Sequence, residues 1–301
     1  MTLFNSIWDD LRNTIRSGNM VTKLVLVNFL VFVLVSLVFF TLFIAMSGEG
    51  HGEALWVGLD YLAMPADWKE LLWHPWTPIT SMFLHQSFWH VLSNLIWLYL
   101  FGNIVGDLVG DRRVLPIYLL GGLAGAFAYF VSANFLPYIG GHALGASAAV
   151  MALGGTALLI APDYRVMLLL IGEIKLKYIV LVMILLDLVG IANQANTGGH
   201  AAHIGGLFMG FLFVYQLRNG SDMAEPVNNL IEGIQSLFSG KKKPQMRFQR
   251  TNTARKPGQR TDTVDLSHQE KLDTILDKIK QEGYENLSAE EKEFLFHASK
   301  K

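Results

Sequence analysis

Apolar residues in this chain gather in long blocks and do not alternate with polar ones. The first block runs from Val21 to Met46 with one charge, Lys23, at its edge. A bilayer core of roughly 30 Å is spanned by about 20 apolar residues. The block is too long for the apolar core of a signal peptide, and no small-residue cleavage site follows it, so it predicts a retained transmembrane helix. Further blocks over about 86–106, 114–134, 142–161, 176–192 and 200–218 predict five more. Several of these are short or rich in glycine and polar residues. The second, fourth, fifth and sixth are therefore expected to pack inside a bundle. The predicted fold class is an all-α polytopic membrane protein, a six-transmembrane-helix bundle over residues 21–218.

The segments outside the blocks have patterns of their own. Over 1–20, Leu3, Ile7, Leu11 and Ile15 recur at helical spacing with Phe4 and Trp8 beside them, which reads as an amphipathic helix on the membrane face. Residues 47–85 carry Trp56, Trp68, Trp73 and Trp76 and are expected to form a structured hairpin partly in the interface, where aromatic rings favour the headgroup level. Residues 219–265 are polar and basic and read as a linker. Over 266–301, Leu272, Ile275, Leu276 and Ile279 restore a helical period. Ser288 and Glu291 then make a capping box that opens a second short helix. This predicts a small helical C-terminal module in the cytoplasm.

Composition narrows the class. Of 301 residues, 51% are hydrophobic and 16% charged, which is too little charge for a soluble domain of this length. A net charge of −1 gives no reason to expect a nucleic-acid partner. The chain has no cysteine, so it has no disulfide framework, thiol nucleophile or thiolate metal site. Charge along the loops sets orientation. Arg12, Arg16, Lys23, Arg112, Arg113, Arg165, Lys175, Lys177 and Arg218 all fall on one side of a six-helix layout. The alternate loops carry a single lysine. The positive-inside rule then places both termini in the cytoplasm of a multi-pass protein of the cell (plasma or inner) membrane.

Polar groups inside apolar blocks need a reason, because they cost free energy in hydrocarbon. Three clusters stand out: HQSFWHVLSN at 85–94, GHALGASA at 141–148 and GGHAAHIGG at 198–206. His90 and Asn94 are four apart and share a helix face. With all three helices entering from outside, Asn94 lies roughly 9 Å in, Ser147 roughly 8 Å below His142, and His203 roughly 6 Å below Gly199. On the sixth helix Gly206 and Gly210 form a GxxxG face that Ala202 extends, and Ala146, Ala148 and Ala149 offer small residues on the fourth. Such faces let backbones approach closely. If they meet, Ser147 and His203 come within hydrogen-bond reach, and a serine beside a general base is an activated nucleophile. Asp187, the one acid deep in a predicted span, is expected to bond within the bundle or face a water-filled gap. No GxGD or HExxH motif is present. A metal site of His142, His200 and His203 is set aside, and no metal or cofactor is expected.

In these motifs the sequence closely resembles the rhomboid family of intramembrane serine proteases. The likeness covers roughly 70–218. It rests on His85, Ser87, His90 and Asn94 in the second span, Gly145-Ala146-Ser147 in the fourth, and Ala202-His203, Gly206 and Gly210 in the sixth. It implies Ser147 as nucleophile, His203 as general base with no acidic third member, and His90 and Asn94 at the oxyanion hole. Gly145, Gly206 and Gly210 would provide close packing near the site. Transmembrane-helix proteins would be the substrates and the lipid bilayer the surroundings. The chain departs from the family pattern at Ala148, Met151 and the Trp76-Thr77 pair. The alternative is a catalytically silent rhomboid-like protein that binds membrane helices for quality control. A transporter would carry a charged pathway and an inverted repeat.

Overall fold

The computed structural model describes residues 12, 18–45, 61–136, 139, 141–168, 171–239, 268–282 and 286–298. Nearly all of the amphipathic segment expected over 1–20, and the first part of the loop expected as a hairpin, lie outside these residues. The chain divides into two compact units, Met1–Lys243 and Pro244–Lys301.

In the first unit, helix α1 (Met20–Ala45) opens on Asn19, whose side chain accepts from the Thr22 N–H at 2.9 Å. After it come strand β1 (Met64–Pro65), the short helices α2 (Trp68–Trp73) and α3 (Thr77–Thr80), and a 3₁₀ turn at Ser81–Phe83. The long helices α4 (Phe88–Val109) and α5 (Val114–Phe135) follow, then strand β2 (His142–Ala143) and helix α6 (Ser147–Ile160). Strands β3 (Arg165–Leu168) and β4 (Gly172–Lys175) form an antiparallel hairpin that leads into α7 (Leu176–Ala192), α8 (Thr197–Arg218) and α9 (Ala224–Ser239).

Helices therefore occupy all six apolar blocks. Four of them, at Met20–Ala45, Phe88–Val109, Asp111–Phe135 (with its leading 3₁₀ turn) and Thr197–Arg218, are long and apolar enough to cross a membrane. The other two are shorter: 14 residues in α6 and 17 in α7, about 21 and 25 Å long. Apolar side chains such as Leu34, Phe40, Phe127, Leu186 and Phe208 stay exposed around the bundle, as suits a protein whose surroundings are lipid. Helix α6 is the exception. Every residue from Ala148 to Ala157 is buried, enclosed by α4, α5 and α8. It is apolar all round because it has protein on all sides.

Three expectations are corrected. The fourth helix begins at Ser147, not near 142, because His142–Ala143 are extended and pair with Met64–Pro65. The described part of the outer loop, 61–87, is that short strand plus helical turns, not a hairpin; it is tied by Trp76 Nε1 donating to the Tyr61 carbonyl at 2.8 Å. Residues 219–265 are not linker throughout. Within them α9 packs on the first unit, with Ala224 buried, Asn228 donating to the Arg112 carbonyl at 3.1 Å and Arg112 paired with Glu232 at 2.9 Å. Arg113 meets Asp222 at 2.8 Å just before it. Leu230, Ile231 and Ile234 lie on a helical period that the polar composition of the segment conceals.

The second unit holds helices α10 (His268–Glu282) and α11 (Ala289–Ala298). The capping box at the start of α11 is formed both ways. The Glu291 N–H donates to Ser288 Oγ at 3.2 Å, and the Ser288 N–H donates to Glu291 Oε2 at 2.7 Å. Lys278 of α10 reaches Glu291 at 3.0 Å, and Ile275 and Leu287 are buried.

Candidate active site

Ser147 owes its position to the glycine turn that precedes α6. Strand β2 runs in extended, and the Gly145 N–H donates to the Ser81 carbonyl at 2.9 Å. The chain then reverses at Gly145 with φ +130°, a conformation side-chain-bearing residues rarely adopt. A Cβ at Gly145 would also lie 2.8 Å from His90 Nε2, so the glycine makes room for that ring. Ser147 is the first residue of the helix, and its N-cap, Ala146, supplies no side-chain acceptor. The first N–H groups of a helix have no intrahelical partner and form its positive end. Ser147 thus carries its hydroxyl next to a cluster of backbone donors.

His203 reaches the serine because α8 lies almost backbone to backbone on α6. A Cβ at Gly206 would stand 2.0 Å from the Ala148 carbonyl oxygen, and one at Gly210 would stand 2.2 Å from that of Ala152. Helix α5 approaches α6 in the same way, Gly121 facing Ala152 and Gly125 facing Ala148. Close approach multiplies dispersion contacts where no hydrophobic force drives helices together in lipid. It sets His203 Nε2 2.7 Å from Ser147 Oγ.

On the other side stands the start of α4. Ser87 caps it, accepting from the His90 N–H at 3.2 Å. Asn94 is buried one turn further in and donates from Nδ2 to the His90 carbonyl at 2.9 Å. His85, in the loop before α4, is buried with its ring edge-on to His90 at 5.1 Å between centroids. Its burial, and then the neighbouring His90, push its pKa down to about 4, so it is neutral at physiological pH.

Behind His203 lies a carboxylate. Asp187 on α7 accepts from His203 Nδ1 at 2.7 Å and from His200 Nδ1 at 2.7 Å, both at Oδ1. The carboxylate is buried, while the two imidazoles are each about one-fifth exposed. The bundle-internal bond expected for Asp187 is this one. The family resemblance implied no acidic partner for His203, and the structure sets Asp187 against its Nδ1. The one set of side chains spaced to hold a cation, among the described residues, is Asp187, His200 and His203, whose ligand atoms lie within 4.8 Å of one another. Asp187 Oδ1, His200 Nδ1 and His203 Nδ1 are engaged in the hydrogen bonds just given. His142 is not among them; its Nε2 pairs with Glu70 at 2.9 Å.

These groups open on a cavity of about 760 Å³ between α4, α6, α7 and α8. His90, Asn94, Ser147, Asp187 and His203 all line it, and Trp97, Met151, Ile179 and Leu186 supply apolar wall. An apolar cleft with a few convergent polar groups is the form of a binding or catalytic site. Met151, one of the departures from the family pattern, forms part of that wall. The structure therefore gathers Ser147, His203, His90 and Asn94 around one space, with Gly145, Gly206 and Gly210 at close backbone approaches beside it. Sequence reasoning missed the partner of His203. The signal was present in Asp187, a lone acid in an apolar helix, but nothing in the spacing told which histidine it would face.

Comparisons with known proteins point to one family for the membrane-spanning part. The model of the rhomboid domain matches residues 72–220, and that of a family of unknown function, DUF6576, matches 265–301. The chain is 28% identical over 137 residues to Rhomboid protein 1, mitochondrial, of Saccharomyces cerevisiae, covering 45% of this chain and 40% of that one. It is 26% identical over 138 residues to Presenilin-associated rhomboid-like protein A, mitochondrial, of Danio rerio, covering 45% and 36%. To the Putative rhomboid protease YdcA of Bacillus subtilis it is 28% identical over 178 residues, covering 58% and 81%. It thus spans well under half the length of the two mitochondrial relatives.

Proposed function

This chain belongs to the rhomboid family, and from that membership we propose that it is an intramembrane serine protease. It is a multi-pass membrane protein. In the proposed reaction it hydrolyses a peptide bond in or near the transmembrane helix of a membrane-protein substrate. The observation that carries this reading is the 2.7 Å contact between His203 Nε2 and Ser147 Oγ beside an apolar cavity.

The chemistry follows from the placement. His203 accepts the Ser147 proton at Nε2 as Oγ attacks the substrate carbonyl carbon. Negative charge develops on the carbonyl oxygen, where the N-terminal N–H groups of α6, with His90 and Asn94, are at hand as donors. Collapse breaks the C–N bond, and His203 returns its proton to the leaving amine. Water then attacks the acyl-enzyme by the same route and frees Ser147. Nε2 must be unprotonated to start the cycle. An apolar cavity wall suits the flank of a substrate helix, and the glycine-rich turn leaves room for extended backbone at the serine.

Helices α6 and α7 complete six spans in this reading, their short length offset for α6 by its enclosure in protein. Positive loop charge on one side, from Arg112 to Arg218, supports a cell-membrane orientation with both termini cytoplasmic and Ser147 near the outer face.

The test is cleavage of a model transmembrane substrate together with labelling by a fluorophosphonate. The wild-type chain is expected to cleave and to be labelled at Ser147. Ser147→Ala abolishes both, and His203→Ala lowers kcat by about 10³-fold or more, since an unassisted hydroxyl is a poor nucleophile. Both variants still fold, because alanine suits close helix packing. Cleavage by Ser147→Ala at the wild-type rate would overturn the proposal.

A further inference from the structure

We infer that Asp187 is a positioning residue for His203, holding from behind the base of the serine–histidine pair. The inference rests on the protease reading above and goes one residue further. The three groups are bonded in sequence: Asp187 Oδ1 to His203 Nδ1 at 2.7 Å, then His203 Nε2 to Ser147 Oγ at 2.7 Å. An ionised carboxylate is an acceptor only, so the nitrogen facing it is the one that carries hydrogen. Fixing the proton on Nδ1 leaves the lone pair of Nε2 for the serine, the tautomer a general base needs. Without Asp187 the ring would have a second stable form with Nε2 protonated, which cannot take the serine proton. The carboxylate also stabilises the imidazolium formed on attack, in surroundings where water is scarce.

The carboxylate is itself held in place. His200, one turn before His203 on the same face of α8, donates to the same Oδ1 at 2.7 Å. Its ring lies where a side chain on α7 would otherwise be: a Cβ at Gly190 would stand 2.1 Å from His200 Nε2. Asp187 and Gly190 are three residues apart on α7, so one helix face supplies both the acceptor and the space for its second donor. A buried carboxylate with two donors is satisfied, and the line to Ser147 runs through only one of them. This asymmetry separates the roles. Loss of His200 removes one support of the carboxylate, whereas loss of Asp187 releases the base.

The full-length chain in detergent micelles gives the test. At neutral pH, ¹⁵N spectra of histidine-labelled wild-type protein are expected to show His203 protonated at Nδ1 and not at Nε2. Asp187→Asn is expected to lose that preference. It lowers kcat by about 10²–10⁴-fold, the scale seen when the aspartate of such a line becomes an amide. KM for the model substrate stays within about three-fold, and Asp187→Glu recovers part of the lost rate. His200→Ala retains most of the activity. A His203 ring protonated at Nε2 in the wild-type chain would overturn the inference, whether or not Asp187→Asn folds. So would wild-type kcat in a folded Asp187→Asn. Because the tautomer is read without turnover, an inactive wild-type chain would sink the protease reading and leave this measurement to stand by itself.

Discussion

His85 shows how a single residue beside the site acts through burial. In the fold its pKa is pushed down to about 4 by burial first and by neighbouring His90 second. In the unfolded chain it titrates near roughly 6.5. The folded state therefore declines a proton that the unfolded state accepts between those values. Stability from this residue is complete above about pH 6.5 and falls as pH drops toward 4, by about 3 kcal/mol in all. Unfolding titrations in detergent across that range check this. The wild-type curve should decline with acid more steeply than that of His85→Gln, and identical slopes would remove His85 from the account. The same residue was legible in the sequence only as part of a motif, because spacing gives no information on which polar groups end up buried. His90 and Asn94 were legible because they sit four apart in an apolar block, and Ser147 and His203 because they are polar groups beside small-residue faces in two other such blocks. The link from Asp187 to His203 was not, since it depends on the rotation of α7 against α8.

At the scale of elements, hydrophobic blocks gave the positions of the long helices, since a continuous apolar run with charged flanks has few other solutions. They failed where local geometry overrides composition. The segment 142–146 continues the apolar block of the helix it precedes, yet His142–Ala143 pair with Met64–Pro65 and Gly145 takes a positive φ, so the helix starts only at Ser147. Helix α9 was hidden for the opposite reason, an amphipathic period inside a polar stretch. The small-residue faces were the most informative local signal. Gly206 has no space for any side chain, since its Cβ would meet the Ala148 carbonyl at 2.0 Å. Gly206→Val is therefore expected to push α8 off α6, separate His203 from Ser147 and lower cleavage at least 10²-fold; displacements near 1 Å already have effects of that size. Thermal unfolding in detergent should also fall by several degrees. Gly233→Val, on α9 with nothing within 4 Å of its Cβ, is the control that leaves cleavage intact. Equal activity of Gly206→Val and the wild type would mean that the helices do not pack as closely as described.

On the scale of the whole molecule, the boundary between membrane domain and tail lies further along the chain than composition suggests. Charge and polarity place the boundary at about 219, but the compact first unit runs to Lys243. Between those points Asp222, Asn228 and Glu232 bond Arg113 and Arg112, and Ala224 is buried. Arg113 also donates to the Val109 carbonyl at the end of α4, so this contact joins α9 to the turn that connects α4 with α5. The second unit, which matches a family of unknown function, has its own capping box and its own buried pair, Ile275 and Leu287. Two truncations separate these contributions. A chain ending at Lys243 keeps every contact of the first unit and is expected to cleave a model transmembrane substrate within a few-fold of the full-length rate. A chain ending at Gly220 loses Asp222, α9 and their bonds to Arg112 and Arg113. Exposed ion pairs such as Arg112–Glu232 contribute little individually, about 0–1 kcal/mol. The loss comes instead from the partly buried Arg113–Asp222 pair and the buried start of α9, and it should lower the unfolding midpoint in detergent while leaving the geometry of Ser147 and His203 at the other end of their helices unchanged. The expected pattern is thus normal cleavage at low temperature in both truncations, with earlier thermal inactivation only in the shorter one. Complete loss of activity in a folded chain ending at Lys243 would show that the second unit takes part in catalysis, and identical inactivation curves for the two truncations would show that α9 adds nothing to the stability of the bundle.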